Sequence, residues 1–152
     1  MRGKLGLLDE QDDDLALASS LLDTMARQEL DFTLTFRQLA YRDASDRFAP
    51  GGSLHDWHIR WANRIEASEG FVHGSEAHAE NQSLMRRNNP AIIPRNHQIE
   101  AVIDAAVRGS DFSPFHNMLA AVTQPFDEKH DDGVYTIPPS ADEVVTQTFC
   151  GT

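Results

Sequence analysis

Cysteine occurs once in the 152-residue sequence, at Cys150, so no internal disulfide framework can form, and the composition suits a reducing compartment. Lysine is nearly absent: Lys4 and Lys129 are the two copies, and the other basic residues are arginines. A mechanism that needs a phosphate-clamping or Schiff-base lysine has almost nothing to draw on. Long apolar runs are missing as well. The stretch Leu5 to Leu8, behind the basic Met1-Arg2-Gly3-Lys4, stops at Asp9 and is too short for the core of a signal peptide. Nothing approaches the roughly 18 apolar residues of a membrane span. Positive charge is scarce overall, with 13 Lys+Arg against 24 Asp+Glu and a formal net charge of -11. A surface of that sign repels phosphate backbones and anionic lipid, which argues against nucleic-acid and membrane partners. The chain reads as cytoplasmic.

What is present suits a packed protein. Apolar residues make up 40% and charged residues 24%, ordinary globular usage, and the length fits one domain with a real core. There is no internal repeat and no low-complexity tract. Asp9, Glu10, Asp12, Asp13 and Asp14, followed by Leu15, Leu21, Leu22 and Met25, predict a helix whose N-terminus is a solvated acidic cluster favoured by the macrodipole. Asp31 is placed to cap a second helix, on which Phe32, Phe36, Leu39 and Ala40 share a face. The same stretch alternates as Phe32, Leu34, Phe36, so a short strand stays open there, with helix preferred. Asp46 to Gly52, with Pro50-Gly51-Gly52, reads as a loop.

Further along, Ser53 is a plausible cap for a helix lined by Leu54, Trp57, Trp61 and Ile65, and Ser75 for a weaker one over residues 75 to 87. Asn88-Asn89-Pro90 breaks the pattern. Ile99, Val102, Ile103, Ala106 and Val107 give the strongest helical periodicity, stopped by Gly109. Ser113-Pro114 then gives a cap and a proline in the first turn of a helix carrying Phe115, Met118, Leu119 and Val122. The short turn between these two predicts an antiparallel pair. The expected fold class is all-α, with about five or six helices and an irregular C-terminal tail. The expected domain is residues 1–124, with an extended tail over 125–152.

Catalytic constellations are hard to find. His55 and His58 lie three apart on a predicted helix, with His73 and His78 nearby in sequence, but neither H-E-x-x-H nor a Cys/His pattern accompanies them. Surface or partly packed histidines are the simpler reading. Glu128, His130, Asp132 and Gly133 have the look of a calcium loop, yet Pro139 stands where a bidentate glutamate is needed. Asn81-Gln82-Ser83 is a glycosylation sequon by chance composition. Trp57 and Trp61, one turn apart, read as core rather than as a ligand platform. There is no G-x-S-x-G, no glycine-rich phosphate loop, and neither H-R-D nor D-F-G. The expected catalytic, cofactor-binding and metal-binding residues within the chain are none.

Several segments, in order, resemble the C-terminal third of the selenoprotein O family. They are Met1-Arg2-Gly3-Lys4-Leu5-Gly6-Leu7 with the acidic helix after it, and Asp31-Phe32-Thr33-Leu34-Thr35-Phe36-Arg37. Next come Asn89-Pro90-Ala91-Ile92-Ile93-Pro94-Arg95-Asn96, Pro125-Phe126-Asp127, and the closing Phe149-Cys150-Gly151-Thr152. The Asn-Pro-x-x-x-x-Arg-Asn element and the closing cysteine are the most distinctive. The resemblance implies a parent with a protein-kinase-like (pseudokinase) fold that moves AMP from ATP onto protein hydroxyl groups, using Mg or Mn. It also implies that the ATP- and metal-handling residues lie upstream, that Met1 is an internal or artificial start, and that the kinase-like N-terminal region is this piece's partner, with protein substrates acted on by the parent. The piece itself is then structural or regulatory and non-catalytic. A stand-alone helical protein-interaction module is the alternative. Cys150 falls where the family has a tail cysteine or selenocysteine, which makes it the candidate redox residue, with an inert tail cysteine as the competing reading.

Overall fold

The computed structural model describes residues 1–41, 48–68, 70–131 and 133–145. Among them are seven α-helices, no strand and an irregular tail, so the all-α expectation holds. The helices are α1 (Arg2–Leu5), α2 (Asp14–Arg27), α3 (Phe32–Leu39), α4 (His55–Glu66), α5 (Glu76–Asn88), α6 (Asn96–Gly109) and α7 (Ser113–Val122). Single 3-10 turns at Glu128–His130 and Val134–Thr136 punctuate the tail. Six of the seven helices lie where periodicity placed them. The seventh, α1, is a four-residue turn too short to leave a periodic signature. The alternation at Phe32–Phe36 resolves as helix.

Contacts group the chain into two compact units, Met1–Asn89 and Pro90–Thr152, which divide at the Asn88-Asn89-Pro90 break. The boundary expected at residue 124 lies two residues after the end of α7 at Val122.

The first unit holds α1 to α5 around a core of Leu5, Leu21, Phe36, Leu54, Trp61 and Met85, all essentially inaccessible. Asp31 and Ser75 cap as expected, accepting from the amides of Leu34 at 2.8 Å and His78 at 3.3 Å. Ser53 does not: Leu54 takes the cap position of α4 with no side-chain bond. On α2 the buried face is Leu17, Ala18, Leu21 and Met25, and Leu15 and Leu22 turn outward. Apolar content thus located the helix, while one residue of register decided which leucines face in.

Gly6 ends α1 in the left-handed region at φ 69°. A Cβ there would stand 2.6 Å from Asn81 Nδ2 and 2.9 Å from Met85 Cγ, so both conformation and space demand glycine. That close approach lets the Asn81 amide donate to the Gly6 carbonyl and tie α1 to α5.

In the second unit, α6 and α7 pack together across the connection Ser110–Phe112. Ala91, Ile92 and Ala121 form a small buried cluster with Val122 and Tyr135 against it. The Ala91 amide donates to the Pro125 carbonyl at 2.7 Å, which fixes the chain entering α6 to the chain leaving α7. Two cap assignments change. Ser110, not Gly109, adopts the left-handed conformation after α6, at φ 51°. Ser113 is the first residue of α7, and Asp111 serves the helix start by accepting from the Ser113 amide at 2.9 Å.

Candidate functional site

The last carbonyls of α5 have no partners within their own helix and must find donors elsewhere. Two cations supply them. Lys4 Nζ donates to the Asn88 carbonyl at 2.8 Å, and Arg37 Nη1 donates to the carbonyls of Arg86 at 3.2 Å and Asn89 at 3.0 Å. Positive charge at a helix C-terminus is favourable, which adds to the hydrogen bonding. The fully buried Asn89 completes the junction: its Nδ2 donates to the Lys4 carbonyl at 2.8 Å, and its Oδ1 accepts from Lys4 Nζ at 3.3 Å. Lys4 also sits 5.8 and 5.6 Å from the ring centres of Phe32 and Phe36, while Arg37 lies over Tyr41 and donates to its hydroxyl. Burial lowers the pKa of Lys4. Lys4, Arg37 and Asn89 come from three of the segments that carried the family resemblance, and the fold gathers them at one point.

A second polar centre joins the start of α2 to α4. Arg64 donates through Nε to Asp14 Oδ1 at 2.6 Å and through Nη2 to Asp9 Oδ1 at 2.9 Å, with Ser68 bridging to Asp9 at 3.0 Å. The Gln11 amide adds a bond to Asp14 Oδ2 at 3.0 Å. Burial pushes the Asp14 carboxyl up, but the Arg64 and Gln11 hydrogen bonds and the arginine charge outweigh it, and the net position is below the usual carboxylate range. Asp9 is held low chiefly by its hydrogen bond from Arg64. The acidic cluster does begin a helix. Its fully solvated reading is corrected for Asp14, which is buried. Sequence reasoning missed Arg64 because its partners lie 50 and 55 residues away and no local pattern links them.

The histidines are partly gathered. His58, His73 and His78 line one cavity of about 230 Å³ with Tyr41, Ala62, Glu66 and Gln82, whereas His55 turns away with Nδ1 3.2 Å from the Phe48 carbonyl. The three rings do different things. His58 stacks on Trp61, His73 Nε2 pairs with Glu66 at 2.7 Å, and His78 Nδ1 accepts from the Gly74 amide at 3.0 Å. Among the described residues, no three His, Cys, Asp or Glu side chains converge as a set of metal ligands.

The remaining candidates resolve as structure. Trp57 and Trp61 are buried and their indoles donate to the carbonyls of Leu17 at 2.9 Å and Leu5 at 2.8 Å, so they are core with satisfied polar edges. Asn81 of the sequon is 1% exposed and held in α5. In the calcium-like stretch, Asp127 is engaged by Lys129, whose Nζ stands 2.9 Å from Oδ2, and Asp132 lies outside the described residues. Arg95 is buried at the cap position of α6. Cys150 also lies outside the described residues. No helix among the described residues is long and apolar enough to cross a membrane.

Comparison with known proteins adds what geometry leaves open. A family model described as "Protein adenylyltransferase SelO" matches residues 1–123, which run from α1 to the residue after α7. The chain is similar to the protein nucleotidyltransferase YdiU of Agrobacterium fabrum, with 44% identity over 158 residues. The alignment takes in 100% of this chain and 31% of that protein. The proteins of the same name from a Bradyrhizobium species and a Ruegeria species are 41% and 40% identical, over 31% and 30% of their lengths. The chain therefore spans about a third of the length of these relatives.

Proposed function

The chain belongs to the SelO family of protein adenylyltransferases, and on that premise we propose that it is the C-terminal helical region of a longer enzyme that transfers AMP from ATP to protein hydroxyl groups. In this reading ATP and Mg or Mn are handled by a kinase-like region outside these residues, and protein substrates are acted on there. The present region is structural or regulatory. Coverage carries the reading: the chain aligns from end to end with relatives about three times its length, which leaves about two thirds of each relative, outside the alignment, to hold the nucleotidyltransferase machinery.

The side chains support this division of labour. Both lysines are committed, Lys4 to the end of α5 and Lys129 to Asp127 and to Gln124 at 2.8 Å. Arg37 and Arg64 are likewise used in fastening helices together. These cations hold backbone carbonyls and carboxylates of their own chain, an arrangement suited to a scaffold rather than to a triphosphate. Cys150 remains the candidate redox residue of the region. The sequence contains no second cysteine, so a partner thiol would have to come from outside these residues.

Titration calorimetry of residues 1–152 with ATP and Mg²⁺ tests the proposal. No binding heat is expected, and micromolar affinity in the isolated chain would overturn it.

A further inference from the structure

The helical pair α6 and α7 is more apolar than its own unit can cover. On α7 the arc bearing Pro114, Met118 and Ala121 is turned inward, while the adjoining arc bearing Phe115 and Leu119 is about half exposed. Phe112, at the cap of the same helix, is exposed as well. On α6 the pattern repeats: Val102 is buried, but Ile103 and Val107, one turn apart, are 47% and 77% exposed. The apolar positions of each helix thus extend beyond the part that is packed, whereas the apolar stripe of a helix ordinarily faces a packing partner. Single exposed apolar residues are common, but here Ile103, Val107, Phe115 and Leu119 lie on two helices that pack together, and Phe112 lies in the connection between them.

The chain's acidity and its share of the family length indicate the occupant. A second copy is disfavoured, because each chain carries a formal charge of -11 and two would repel. What remains unaccounted for is the other two thirds of a family-length protein, since this chain aligns throughout with only 31% of its relatives. We infer that Ile103, Val107, Phe112, Phe115 and Leu119 form the surface on which this region seats against the remainder of a family-length chain. The inference rests on the reading under Proposed function and specifies which face makes the contact.

Hydroxyl-radical footprinting with mass spectrometry tests it, on the 152-residue chain and on a family-length protein in which this sequence replaces the matching third of the Agrobacterium fabrum relative. In the isolated chain Phe112, Phe115 and Leu119 should oxidise as exposed residues; in the family-length protein their rates should fall by about fivefold or more, as burial demands. Leu15, exposed on α2, provides an internal comparison. Unchanged rates at the three positions in a graft that transfers AMP from ATP would overturn the docking inference alone. A folded graft without AMP transfer would overturn the parent reading, and the inference with it. Protection that grows with the concentration of the isolated chain would assign the surface to a second copy and overturn the inference. If the graft does not fold, the Agrobacterium fabrum protein and its own isolated third carry the same comparison at the aligned positions, with the same outcomes.

Discussion

Arg64 on α4 and Asp14 at the start of α2 form a nearly buried ion pair, with Nε 2.6 Å from Oδ1 and both side chains less than a tenth exposed. The pair does more than join two charges. Arg64 reaches Asp9 as well, and the loop from Asp9 to Asp14 is thereby folded back onto α4. A buried pair of this kind gives little net stability compared with an apolar substitute, but breaking it from one side is costly.

Arg64→Met should therefore destabilise the chain by about 3 kcal/mol, because Asp14 is left buried without its cation. Arg64→Met with Asp14→Leu should recover much of that loss. Chemical denaturation of the two variants measures both, and equal destabilisation in both would show that the pair is not the source.

The same centre sets an acid limit. The Asp9 and Asp14 carboxyls lie below their usual range in the folded chain, so the unfolded state binds these protons more readily. Their contribution is complete above about pH 5 and is lost as the pH falls below about 4 and through the folded values. Thermal midpoints measured from neutral to acid pH should drop less steeply in Asp14→Asn than in the parent chain. Parallel curves would rule out Asp14 as a source of the acid sensitivity.

Glycine substitutions separate conformation from space. Gly51 has φ 83° with nothing near its Cβ position, so Gly51→Ala should cost about 1 kcal/mol from backbone strain. Gly6→Ala meets Asn81 and Met85 in addition and should cost about 1–3 kcal/mol more as overpacking. Equal losses would mean that α5 yields freely at Gly6.

Trp61→Phe keeps an aromatic ring but removes the donor to the Leu5 carbonyl, leaving that acceptor buried and unpaired, at a cost of about 1–3 kcal/mol. Trp57 and Trp61 are the only tryptophans, so native emission should be blue-shifted and poorly quenched by acrylamide. Emission typical of a solvated indole would contradict the buried α4.

Legibility in the sequence followed the range of the interactions. Asp31 and Ser75 could be read as caps because the amide each serves lies three residues ahead. Ser53 and Ser113 carried the same local signal, and the helix starts shifted by a residue once neighbouring turns and packing were in place. Lys4, Arg37 and Asn89 were visible as parts of separate segments, but their meeting was not, since 85 and 52 residues separate the bonded groups. Arg64 gave no signal at all.

The sequence by itself determined the helical class, the positions of the six longer helices and the family resemblance, because helical periodicity and motif identity are properties of neighbouring residues. Tertiary structure decided which leucines of α2 turn inward, which carbonyls receive the scarce cations, and that the apolar positions of α6 and α7 are only partly covered. Those outcomes depend on where distant segments come to rest, and burial and charge pairing take their values only once that packing exists.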